Sequence, residues 1–132
     1  MEEKQHVRAV AFTLFGAFWL TFVGLIIMLG MGWGTAADKG GMVAYFVMWG
    51  LFTVFMFVAT LRINRALQVV FATLVVIFAL LALHEATGNA TLGKVTGYEG
   101  IVCGASAIYA GVAQVWNEYY GKMILPLGGV KK

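Results

Sequence analysis

The chain has 132 residues, of which 61% are hydrophobic and 11% charged, with a formal net charge of +3. Soluble domains run near ~45–50% apolar and ~25% charged, and a chain this short has too little interior to hide the excess from water. A water-soluble enzyme is therefore excluded, and nine scattered basic residues with no aromatic-interleaved stripe leave no footprint for nucleic acid.

The excess must face lipid, so the sequence predicts an all-α integral membrane protein forming one transmembrane domain over 1–132. Four stretches lack Asp, Glu, Lys and Arg: Ala9–Ala37, Gly40–Leu61, Ala66–Leu83 and Gly100–Asn117. A helix needs roughly 20 mostly apolar residues to cross ~30 Å of hydrocarbon. Spans are expected near 10–31, 42–61, 66–83 and 95–116. They lack the alternation of a membrane barrel strand. The first run is too long for a signal peptide core of ~7–15 residues, so it reads as an uncleaved span. Between the spans lie a glycine-rich loop at 32–41, a tight turn at Arg62-Ile63-Asn64-Arg65 and a loop from His84 to Lys94.

An even number of spans puts both termini and the Arg62–Arg65 turn on one side. That side carries Lys4, Arg8, Arg62, Arg65, Lys122, Lys131 and Lys132, against Lys39 and Lys94 on the other. The bias predicts cytoplasmic termini in a multi-pass protein of the cell membrane. Trp33, Tyr98, Trp116, Tyr119 and Tyr120 fall near the predicted interfaces, where amphipathic rings settle.

Chemistry is sparse. Glu99 is the one acid placed inside a span, and an ionisable group in hydrocarbon is a functional candidate, here for proton coupling; the plainer reading is a wetted carboxylate near the helix end. Ser106 and Tyr109 share a face of the last helix, with Gln114 and Asn117 continuing the polar trace. Thr53 and Thr73 sit mid-span. These hydroxyls either return a bond to their own backbone or form a ladder of neutral hydrogen-bonding groups along a path. Gly100-Ile101-Val102-Cys103-Gly104 is a small-xxx-small pattern suited to close helix packing. His84 and Glu85 read as a surface pair, and Cys103 as a small apolar filler. The sequence has no phosphate-binding glycine loop, no His-x-x-x-His pair and no Ser–His–Asp constellation, so nothing points to catalysis, a metal or a cofactor.

Several stretches resemble the acetate uptake transporter family, of the succinate–acetate permease or YaaH type. They are Phe18-Trp19-Leu20-Thr21; Trp49-Gly50-Leu51-Phe52-Thr53-Val54-Phe55-Met56-Phe57; Leu67-Gln68-Val69-Val70-Phe71 through Phe78-Ala79-Leu80-Leu81-Ala82; Gly104-Ala105-Ser106-Ala107-Ile108-Tyr109; Asn117-Glu118; and Leu125-Pro126-Leu127-Gly128. The resemblance implies a six-helix fold, a homohexamer, and movement of acetate or succinate. It matches helices three to six, with no counterpart here of the first helical hairpin and its Asn-Pro-Ala-Pro-Leu-Gly motif. It places an aromatic–aliphatic constriction at Phe15 and Leu74. Phe15 stands where a tyrosine is usual, Leu14 where a serine is common, and Thr73 replaces another serine but keeps its hydroxyl.

The expected function is transport of a small monocarboxylate such as acetate, proton-coupled or channel-like. The expected path is lined by Trp49, Thr53, Thr73, Ser106 and Tyr109 and interrupted by Phe15 and Leu74, with Glu99 as the proton-coupling candidate. The alternative is a non-transporting membrane subunit or an inactive fragment. A small multidrug pump ranks lower, since 10–31 carries no central carboxylate.

Overall fold

A computed structural model describes residues 2–129 and consists of four α-helices joined by short connections: α1 (Glu2–Gly30), α2 (Lys39–Thr60), α3 (Arg65–Thr87) and α4 (Ala90–Tyr119). Lys131 and Lys132, counted above for orientation, lie outside the described residues, as does the Lys4 side chain. Among the described residues α1, α2 and α3 are long and apolar enough to cross a membrane. The fourth helix is longer, at 30 residues. It is diluted by Lys94, Glu99, Glu118 and a run of glycines and hydroxyl residues.

All four helices begin before the predicted spans, and α3 and α4 also end beyond them, while α1 and α2 end one residue short. Charge-free runs report hydrocarbon thickness, whereas helices end where their terminal N–H and C=O groups find other partners. At the start of α1, Glu2 and Glu3 occupy the first turn, where the helix dipole favours acids. The expected loop from His84 to Lys94 is corrected to little more than Gly88 and Asn89. Gly88 donates its N–H to the His84 carbonyl at 2.7 Å, and Asn89 accepts from the Thr91 N–H at 2.9 Å. Two residues thus suffice to end one helix and cap the next, and the flanking Thr, Glu and Lys are absorbed as helix.

The chain divides into two compact units, Met1–Asp38 and Lys39–Lys132. In the first, Ala11, Phe15 and Phe18 recur on one face of α1 and are buried. Phe18 stacks on Phe22 at 5.8 Å between ring centroids and meets Trp19 edge-on at 5.2 Å. The helix closes with a paired hydrogen-bond motif, Trp33 N–H to Met28 O and Gly32 N–H to Leu29 O. That motif needs a left-handed residue, and Gly32 supplies it with φ 73°.

In the second unit α3 packs against both α2 and α4. Its buried residues Leu67, Val70, Phe71, Leu74, Ile77 and Phe78 follow a three-four spacing, which sets one wide apolar stripe along a helix. Trp49 of α2 stacks on Phe78 at 6.5 Å, and a Cβ at Gly50 would sit 3.4 Å from the Phe78 Cβ. On the other side Gly100 of α4 lies close enough that its Cβ would come 3.3 Å from the Ile77 side chain. Of the small-xxx-small pair, then, Gly100 makes the close approach, while a Cβ at Gly104 would meet nothing within 4 Å.

The outward faces are as apolar as the inward ones. Met48, Leu51, Phe55 and Val58 form an exposed stripe on α2, and Ile101, Ile108 and Val115 another on α4. Water does not tolerate contiguous apolar surface on that scale, so the medium of this surface is lipid.

Asn64 anchors the start of α3. Its side chain accepts the Leu67 N–H at 2.8 Å while itself buried. Asn64→Ala is expected to destabilise the fold by about 1–2 kcal/mol, the cost of a lost cap with a buried donor left unpaired. Asn64→Asp, which keeps the acceptor, is expected to recover most of it. Thermal unfolding in detergent checks both.

Candidate functional site

The residues singled out by sequence lie on all four helices. Trp49 and Thr53 are one turn apart on α2, Thr73 and Leu74 are neighbours on α3, and Ser106 and Tyr109 share a face of α4. Phe15, buried in α1, belongs to the first unit and the others to the second. Leu74 is 5% exposed, in the middle of the α3 packing stripe. Thr73, half-buried on α3, lies near Cys103 of α4. Glu99 precedes Cys103 by one turn on the same face and is half-buried. Because α4 starts at Ala90, Glu99 stands more than two turns inside the helix, deeper than the sequence suggested.

The hydroxyl groups share one feature. Thr53, fully buried, donates to the Trp49 carbonyl at 2.6 Å. Thr73 donates to the carbonyls of Val69 and Val70 at 2.9 and 2.8 Å. Ser106 donates to the Cys103 carbonyl at 2.7 Å, and Tyr109 to the Pro126 carbonyl at 2.8 Å. A carbonyl oxygen can only accept, so each hydroxyl proton is engaged and each oxygen keeps its lone pairs for a further partner. Such a set accepts hydrogen bonds readily and donates them only after breaking one it already makes. Around it the helix centres carry no Lys or Arg.

Asn117 was read as the end of a polar trace, and the structure gives it a larger part. Its side-chain oxygen accepts from the Ile124 and Leu125 N–H groups at 2.7 and 3.0 Å, and its amide donates to the Leu125 carbonyl at 2.8 Å. Gln68, noted in the sequence only within a stretch of family resemblance, donates to the Thr60 and Leu61 carbonyls at the end of α2. A proline followed closely by two glycines after the last helix was the available signal that the chain turns back there.

Residues 5–128 match the GPR1/FUN34/yaaH family. The chain is 45% identical over 118 residues to the succinate–acetate/proton symporter SatP of Escherichia coli K12, covering 89% of this chain and 63% of that protein. It is 47% identical over 124 residues to an uncharacterised protein of Methanothermobacter thermautotrophicus, covering 89% and 61%. The solved structure of the bacterial acetate channel SatP superposes with a TM-score of 0.79 at 44% identity, over 91% of this chain and 66% of that one. The chain thus spans a little under two thirds of the length of the relatives it matches.

Proposed function

The chain belongs to the GPR1/FUN34/yaaH family, and from that premise we propose that it carries a small monocarboxylate such as acetate, and by extension succinate, across the cell membrane together with a proton. Its four helices then all span the bilayer, with both termini cytoplasmic, and the protein works as a homo-oligomer, a hexamer as the family resemblance implies. The similarity to a succinate–acetate/proton symporter over 89% of the chain supports the substrate class.

One observation carries the mechanism: the hydroxyls of Thr53, Thr73, Ser106 and Tyr109 all donate to backbone carbonyls. What they offer a solute is lone pairs. An undissociated carboxylic acid brings its own O–H to such acceptors, whereas a carboxylate brings only more lone pairs. At pH 7 a carboxylic acid of pKa ~4–5 is neutral in roughly one molecule in several hundred. The anion meets an idealised desolvation cost of order 20 kcal/mol in a low-dielectric interior, and no buried Lys or Arg offsets it among the described residues. The proton therefore rides on the acid. Leu74 narrows the path, Trp49 flanks it, and Glu99 is the group that exchanges a proton with the acid on its way; the family resemblance alone assigns Phe15 a constricting role. Weak binding suits this task, because a permeant must also leave.

The direct test is uptake of labelled acetate into liposomes holding the purified chain, with protein-free liposomes as the baseline for unaided crossing. Uptake faster than that baseline, and slowed by unlabelled propionate, is expected. Equal rates in the two preparations reject the proposal.

A further inference from the structure

Beyond the last helix the chain turns back, and four consecutive backbone carbonyls are taken in order. Those of Leu125 and Pro126 accept from the Asn117 amide and the Tyr109 hydroxyl, both on α4. Those of Leu127 and Gly128 accept from the backbone N–H groups of Ala66 and Arg65, at 3.0 and 2.8 Å, in the first turn of α3. The first four N–H groups of a helix have no partner within it. Here the tail fills those of Arg65 and Ala66 and the Asn64 side chain fills that of Leu67, while the Gln68 N–H makes the first i→i−4 bond of the helix, to the Asn64 carbonyl. Gly129 pairs with Asn64 in a short antiparallel bridge. Gly128 adopts φ 66°, and a Cβ there would lie 2.9 Å from the Arg65 Cβ, so the approach is as close as backbones allow.

We propose that Leu125–Gly129 is a latch: a strap clasped by Asn117 and Tyr109 on α4 that closes over the first turn of α3 and ties the two helices together at the end bearing the Arg62–Arg65 turn. Asn117 is the clasp. Its three hydrogen bonds fix the strap on both sides of Leu125, and without them the Tyr109 hydroxyl still ties Pro126 to α4. Latched, the first turn of α3 is fully capped. Unlatched, two N–H groups at its positive end are free and α3 can move against α4 independently. Tyr109 is thereby a strap anchor as well as a residue of the helix face. The proposal stands whether or not the chain carries a solute.

Hydrogen exchange read residue by residue on the full chain in detergent micelles tests it. The Arg65 and Ala66 amides are expected to exchange ~5- to 30-fold faster in Asn117→Ala than in the parent. The Leu67 amide, held by Asn64, and the centre of α2 are expected to change far less. Tyr109→Phe, which removes one hydroxyl and keeps the ring, is expected to give a smaller change at the same two amides, and it carries the test alone should Asn117→Ala fail to fold. Unaltered protection of Arg65 and Ala66 in a folded Asn117→Ala or Tyr109→Phe protein overturns the latch, and so does a uniform loss of protection along all of α3.

Discussion

Acetate moved by this chain is expected to cross without net charge, and its flux to fall steeply as pH rises. The hydroxyls of the proposed path donate their protons to backbone carbonyls, and the helix centres hold no Lys or Arg. An anion therefore finds no ready donor among these four hydroxyls and no Lys or Arg countercharge at the helix centres, while the neutral acid finds acceptors. Between pH 5 and pH 7 the neutral fraction of an acid with a pKa near that of a Glu side chain drops by ~80-fold, and the protein-dependent flux should follow it. A membrane potential acts on a charge by ~2.3 kcal/mol per 100 mV, which for an anion shifts the accumulation ratio by ~50-fold. Clamping proteoliposomes at 0 and at 100 mV with a potassium ionophore reads the difference. Equal accumulation at the two voltages is expected. Accumulation that tracks voltage would show the anion to be the permeant and would remove the hydrogen-bonding argument with it.

Glu99 sharpens the same experiment. If the proton travels on the acid, Glu99→Gln slows exchange of that proton yet leaves the pH profile with its slope, because the profile belongs to the solute. If the side chain itself ferries the proton, the substitution flattens the profile. The first outcome is expected, and flux measured from pH 5 to pH 7 on both proteins decides it.

The four helices were legible because lipid imposes a simple rule: a run free of charge and long enough to cross must be helical. Their ends were not, since ends answer to local and tertiary partners. The turn between α3 and α4 was overdrawn because Thr, Glu and Lys near His84 and Lys94 are polar, and polarity does not distinguish a loop from a helix end in water. Gly88 and Asn89 alone carry the turn chemistry. Asn117 shows a deeper limit. Its position on α4 was readable from the sequence, but the strap it clasps reaches across to Arg65 and Ala66, and no local pattern reports a contact made by folding back. The hydroxyls lie between these cases. Spacing puts Ser106 and Tyr109 on one face, yet the direction of each proton depends on which carbonyl stands opposite. For Thr53, Thr73 and Ser106 that carbonyl is three or four residues back, as helices commonly provide; for Tyr109 it is Pro126, in the returning tail.

Leu74 sets two demands against each other, and a size series separates them. The side chain is 5% exposed and lies in the stripe of Val70, Phe71, Ile77 and Phe78 along α3. Truncation to alanine removes its packing and is expected to cost ~2–5 kcal/mol of stability. Leu74→Met, close in volume, should cost less than ~1.5 kcal/mol. If Leu74 also narrows the path, the same series moves transport in order of side-chain size. Alanine should raise acetate flux severalfold and admit succinate more readily. Methionine should leave flux near the parent, and Leu74→Phe should lower it by roughly tenfold, an added barrier of about 1.4 kcal/mol. Stability and flux are then read on the same preparations, by thermal unfolding in detergent and by uptake in liposomes. Stability that falls in alanine while flux and acid preference stay at the parent level would leave Leu74 a packing residue and would move the constriction elsewhere. The predicted result is the opposite ordering, alanine the least stable of the three variants and the fastest, because shortening a side chain that both fills a stripe and narrows a passage must loosen the one as it widens the other.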